Sequence, residues 1–188
     1  MKNSGKIVLI VIGALLVLLV GSTFSSYNKM VAAEEKVLSA YADIDTQLQR
    51  RADLIPNLLN AVKGYMEHET SVIDSITQSR ERLMRADTVE EKAEANDALT
   101  SALSNLNIVV ENYPDLKASS NFVQLQDELA GTENRIATAR RDYNEAVRSY
   151  NQSIKAMPGR IFASLFGFEP AEYFSANAGS NEVPNVTF

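Results

Sequence analysis

The chain holds a single histidine, His68, set between two carboxylates in Glu67-His68-Glu69. These are residue types for metal ligation or for proton transfer through an imidazole. A zinc-hydrolase helix needs H-E-x-x-H, which puts two histidines on one face a turn apart. The second histidine is missing, and the chain has no cysteine to supply a thiolate instead. No metal ligand, cofactor-binding residue or catalytic residue is therefore expected. Neither G-x-x-x-x-G-K-[ST] nor G-x-S-x-G occurs. A Ser-His-Asp arrangement assembled from distant segments leaves no mark in a sequence. A hydrolase using His68 with nearby carboxylates therefore stands as the rival to a non-enzymatic protein.

The densest polar cluster is Arg50-Arg51-Ala52-Asp53. Arg51 falls on a seam of apolar residues, where an unpaired charge is costly. It calls for a partner such as Glu69, Glu111, Asp115 or Glu133. A buried ion pair adds little net stability but fixes helix register. The functional alternative is a polar groove that takes a partner's carboxylate through the forked donors of arginine. Asn144 and Asn151 lie seven residues apart, beside Tyr143 and Tyr150, on one helix face. Their expected role is hydrogen bonding between helices, because buried polar groups pair internally.

These groups must be positioned by helices. Residues 122–157 carry Phe122, Leu129, Ile136, Tyr143, Tyr150 and Met157 at heptad spacing. Leu125, Thr132, Ala139, Ala146 and Ser153 follow three residues behind, and this 3–4 spacing marks a helix packed along a seam. Asn121 with Gln124 can cap its start, and Pro158-Gly159 stops it. An equally long pattern runs from Tyr27 through Val37, Ile44, Leu48, Ile55, Leu58, Val62 and Ile76 to Leu83. Pro56 interrupts it, since a proline deep in a helix removes one hydrogen bond and crowds the preceding turn. Asp53 could cap a restart, so either a kink or two helices meeting at residues 52–56 is expected. A third pattern covers residues 88–113. It opens with a Thr88/Glu91 capping box and closes at Tyr113-Pro114. Short turns near residues 86–87 and 114–120 imply antiparallel neighbours.

Residues 7–24 form an uncharged apolar run, close to the ~20 residues that cross a bilayer as a helix. A cleaved signal peptide shares the basic start and apolar centre, but residues 21–26 lack an A-x-A-like cut. A single-pass anchor through residues 7–24 is expected. Lys2, Lys6 and the free amine precede the run, whereas Lys29 and Lys36 follow it among Glu34 and Glu35. By a margin of about one charge, the positive-inside rule puts the N-terminus in the cytoplasm and the body outside. The net charge of −6 argues against nucleic acid as a partner.

Five of the seven phenylalanines lie near the C-terminus: Phe162, Phe166, Phe168, Phe174 and Phe188. They either cover one end of a bundle or form an apolar docking patch or membrane-edge contact. A short helix over residues 160–166, ended by Gly167, is expected. Residues 177–188 read as an extended or disordered tail. The domain plan is thus an anchor (1–26), a helical body (27–176) and a tail (177–188).

Several blocks together carry a resemblance. They are residues 47–58 (QLQRRADLIPNL), Val62-Lys63-Gly64-Tyr65 with His68-Glu69, residues 113–118 (YPDLKA), residues 132–137 (TENRIA), residues 139–144 (ARRDYN) and residues 147–151 (VRSYN). In this order they resemble the LemA family of bacterial membrane-anchored proteins, over nearly the whole chain. The resemblance implies an up-and-down bundle of long helices behind a membrane anchor, with association to membrane proteases or membrane remodelling. It implies no particular reaction.

The expectation is therefore an all-α protein: an N-terminal transmembrane helix, then an elongated antiparallel up-and-down bundle at the bacterial inner membrane. The leading function is a non-enzymatic scaffold or adaptor, possessing no cofactor and engaging a membrane protein such as a protease. A self-associating, membrane-shaping homo-oligomer is the alternative. The residues expected to bind a partner or fix register are Arg50, Arg51, Asp53, Glu69, Phe162, Phe166, Phe168, Phe174 and Phe188.

Overall fold

The computed structural model describes residues 4–66 and 68–175. The protein is all-α: six helices and no strand occur among the described residues. They are α1 (Ser4–Lys63), α2 (Thr70–Arg85), α3 (Val89–Val110), the single turn α4 (Pro114–Lys117), α5 (Ser120–Lys155) and α6 (Gly159–Phe166). Glu67 and residues 176–188, with the expected tail and Phe188, lie outside the described residues.

The chain divides into two compact units. Of the described residues, one holds 4–40 together with Glu145–Ala171, and the other holds Tyr41–Asn144 together with 172–175. In the first unit, Met30 and Val37 of α1, Val147, Tyr150 and Ile154 of α5 and Ala163 of α6 are buried. In the second, Ile44, Leu48, Ile55, Leu58 and Val62 of α1 are buried with Ile76 and Leu83 of α2. Leu99, Leu103 and Leu106 of α3 and Phe122, Leu129 and Ile136 of α5 complete that core. Both α1 and α5 bury residues at 3–4 spacing, which keeps an apolar stripe on one helix face.

The capping box forms as the sequence predicts. Thr88 Oγ1 accepts the Glu91 N–H at 3.1 Å, and Glu91 Oε2 accepts the Thr88 N–H at 3.2 Å. It turns α2 into α3, which pack against each other. Three boundaries differ from expectation. Helix α3 ends at Val110, and Pro114 instead opens α4, where its missing N–H costs nothing. Asn121 lies inside α5 rather than capping it.

The third difference is at Pro56. There is no restart at Asp53: α1 runs through Pro56 without a break, and the chain turns only at residues 64–69. Proline leaves the carbonyl four residues back without its helical donor. That carbonyl belongs to Ala52, and Arg80 of α2 donates its Nε–H to it at 2.8 Å. A guanidinium from the neighbouring helix thus replaces the lost bond. Asp53 instead accepts from Gln49 Nε2 at 2.9 Å on the outer face of α1.

Helix α6 seats closely on the first unit. A Cβ at Gly159 would collide with the Ser153 carbonyl oxygen, and Met30 Cε lies 3.7 Å away. Gly167 ends α6 in the left-handed region at φ 77°, a conformation glycine adopts without steric cost.

Candidate functional site

Arg51 is the buried charge of the second unit, with 3% of its surface exposed. It sits on the α1 seam between Leu48 and Ile55, both buried. Its Nη1 donates to Asn96 Oδ1 of α3 at 2.6 Å and pairs with Glu133 of α5. Burial pulls the guanidinium below its ordinary value, and the charges of Glu133 and Asp97 oppose that pull. Asn96 is fully buried, whereas the Glu133 side chain is 39% exposed and meets water. One side chain therefore ties three helices at one height, which is how a buried pair specifies register. Of the four partners considered from sequence, Glu133 is the one found.

The neighbouring residues of the cluster face elsewhere. Arg50 is exposed and pairs with Glu128 of α5 at 3.0 Å. Glu69 accepts from the Tyr113 hydroxyl at 3.3 Å. Desolvation, aided by that carboxylate, raises the phenol above its usual value. A second α1–α3 tie is made by Lys92, which pairs with Asp45 and lies over the Tyr41 ring, 5.1 Å from its centroid. Burial works to lower the Lys92 ammonium, but Asp45 and Tyr41 outweigh it and the net direction is upward.

The asparagines do something the sequence reading missed. They do not bond helix to helix. They hold the extended chain that follows α6. Asn151 Nδ2 donates to the Ala171 carbonyl at 2.9 Å, and its Oδ1 accepts the Ala171 N–H at 2.9 Å. Tyr150 donates to the Glu169 carbonyl at 2.9 Å. In the second unit, Asn144 makes the same two bonds to Phe174, at 3.0 and 2.9 Å, and Tyr143 donates to the Glu172 carbonyl at 2.9 Å. A primary amide presents one donor and one acceptor side by side, as a peptide group does, so it substitutes for a neighbouring strand. Burial raises both phenols above their usual value, aided by Tyr41 and Glu172 at Tyr143 and by Glu34 and Glu169 at Tyr150.

The phenylalanines separate into different roles. Phe174 is 1% exposed, with Arg140 Cζ 4.8 Å from its ring centroid. Phe162 is half-buried. Phe166 and Phe168 set their rings edge-on to Tyr27 of α1, with centroids 5.0 and 5.8 Å apart. Met157, Ile161 and Leu165 remain exposed around them.

His68 is exposed in the turn after α1. Among the described residues no group of three His, Asp or Glu side chains could hold a metal ion. The groove between α2 and α3 is lined by Gln78, Glu81, Arg82, Arg85 and Glu91, charges of both signs on an open surface.

The window of α1 that is apolar enough to cross a membrane has none of its residues buried. The chain is 27% identical over 187 residues to Magnetosome protein MamQ 2 of Paramagnetospirillum magneticum, covering 86% of this chain and 68% of that one. It is 22% identical over 198 residues to Magnetosome protein MamQ of Magnetospirillum gryphiswaldense, covering 92% and 72%. It is 28% identical over 128 residues to Protein LemA of Metamycoplasma hominis, covering 68% and 58%. The model of the LemA family matches residues 40–188, most of the chain, with Arg51, Asn144 and Asn151 among them. With these residues matched, the chain belongs to the LemA family.

Proposed function

We propose that this protein is a membrane-anchored scaffold rather than an enzyme, holding a helical body at the bilayer surface where it presents helix faces to a membrane protein. The observation that carries this reading is the continuity of α1. The exposed apolar run and the packed residues Met30 and Val37 belong to one uninterrupted helix. A helix is stiff along its axis, so a body packed on it follows the anchor rather than swinging on a linker. The polar side chains that sequence singles out serve internal ties at Arg51, Asn144 and Asn151. This use suits a rigid support.

Fractionation and complementation test the reading together. The full chain should resist carbonate extraction from membranes, and a chain lacking residues 1–26 should be released. His68→Ala should complement a deletion strain fully. Loss of complementation by a folded His68→Ala protein would favour the hydrolase instead. Crosslinks in cells from exposed α5 positions such as Arg148 should join the chain to a membrane protein, and their absence would count against a scaffold.

A further inference from the structure

We infer that α6 lies in the headgroup layer of the bilayer, its outer face of Ile161 and Leu165 covered by lipid; this rests on the reading that residues 7–24 span the membrane. Helix α6 has two unlike sides. Gly159 and Ala163 are buried against the first unit. Ile161 and Leu165 each stand two residues further along, about 200° around the helix, on the opposite side. They are 57% and 72% exposed, and Met157, in the turn that leads into α6, is 68% exposed. Two large apolar side chains one helical turn apart, Ile161 and Leu165, thus face outward, where a water-exposed helix would carry polar ones.

What covers them follows from where α6 is fastened. Phe166 and Phe168 pack edge-on against Tyr27, at 5.0 and 5.8 Å between centroids. Tyr27 comes three residues, or about 4.5 Å of helix rise, after Phe24 at the end of the apolar run. That run rises roughly 27 Å over its 18 residues, close to the ~30 Å of a hydrocarbon core. Tyr27 therefore falls at headgroup depth, the level at which tyrosines gather in membrane proteins. A helix held at ring-to-ring contact with it lies at the same level. At eight residues α6 is too short to cross the membrane, so it lies along the surface. Lys155 and Arg160 flank the apolar stripe and are exposed, placed for their long stems to reach lipid phosphates. Glu34 and Glu35, the nearest acidic pair on α1, come about two turns after Tyr27, away from the interface.

The chain has no cysteine, so single cysteines can be labelled without background. The full chain is reconstituted in phosphatidylcholine–phosphatidylglycerol vesicles with a nitroxide at Ile161→Cys or Leu165→Cys. Ala14→Cys, in the apolar run, and Thr138→Cys, exposed on α5, are the references. Relaxation by oxygen, which concentrates in lipid, is compared with relaxation by a water-soluble nickel chelate. The oxygen-to-nickel ratio at Ile161 and Leu165 should exceed that at Thr138 several-fold and approach that at Ala14. An aqueous ratio at both with a lipid ratio at Ala14 would overturn the inference while leaving the anchor intact. An aqueous ratio at Ala14 would overturn both. Shielding of Ile161 and Leu165 from both reagents would show protein rather than lipid over this face, and would also overturn it.

Discussion

Arg80 donates its Nε–H to the main-chain oxygen of Ala52 at 2.8 Å, the oxygen that Pro56 deprives of its helical donor. A long helix with a proline inside it keeps going because a second helix supplies the missing bond. The two features should be energetically coupled. Arg80→Met should destabilise the fold by about 1.5 kcal/mol, the low end for a charged hydrogen bond in a half-buried site. In a Pro56→Ala background, where Ala52 regains its own donor, the same substitution should cost clearly less. Chemical unfolding of the four proteins in a double-mutant cycle gives the coupling, and additive effects would dissociate Arg80 from the proline.

The Arg51 tie should respond unequally to loss of its two ends. Arg51→Ala removes a nearly fully buried charge and leaves Asn96 Oδ1 without its donor. The expected loss is roughly 3–5 kcal/mol. Glu133→Gln keeps a polar acceptor beside the guanidinium on a side chain that is 39% exposed, so it should cost less, about 1–2 kcal/mol. Equal losses in unfolding experiments would contradict this account.

Asn144 and Asn151 each hold one residue of extended chain by its own N–H and carbonyl. Asn144→Ala should speed hydrogen exchange at the Phe174 amide by about fivefold or more, since a buried bond contributes ~1 kcal/mol and an unpaired N–H opens to water. Asn151→Ala should act first at Ala171. Mass-spectrometric exchange over residues 169–175 reads both, and unchanged protection in either variant would dismiss the amide as a clamp.

The capping box should give the fold an acid-sensitive element. Glu91 accepts the backbone N–H groups of Asp87 and Thr88, and these hold its carboxyl below the usual value. A depressed folded value means the stabilisation is present above the unfolded value, about 4.3, and is lost as pH falls through the folded one. The Glu91 carboxyl should titrate below its ordinary midpoint by NMR. Glu91→Gln should shallow the loss of stability below about pH 4.3. A normal or raised midpoint would mean that the box does not form in solution.

Much of the architecture was legible along the chain because helix periodicity is a local property. Heptad-spaced residues from Phe122 to Tyr150 are buried, the Thr88/Glu91 box caps α3, and Gly167 ends α6. Arg51 announced itself as a charge on a seam, and Glu133 was among the partners its chemistry called for. Of the two outcomes expected at Pro56, the helix restart does not form, because the weight of one proline depends on whether another element can satisfy the freed carbonyl, and Arg80 lies 24 residues further along. The role of the asparagines was hidden for a related reason. Their repeat on α5 every seven residues was visible, but its counterpart repeats every three in an extended segment without periodic signal. Seven helical residues and three extended ones are both about 10 Å long, a match that sequence spacing does not display.

Residue order alone thus determined that the molecule is made of long helices, that one of them begins with a membrane-length apolar run, and that the heptad positions from Phe122 to Tyr150 face inward, since each is set by neighbours within a turn or two, whereas Tyr27 and Met157, on the same spacing, are exposed. Tertiary structure decided which polar atoms meet: Arg80 with Ala52, Arg51 with Asn96 and Glu133, Asn151 with Ala171. It also decided that Phe174 is enclosed while Leu165 faces outward. Two phenylalanines of equal hydrophobicity, Phe166 and Phe174, differ in fate because burial belongs to the surface a side chain lands on, and that surface is built by parts of the chain far from it in sequence.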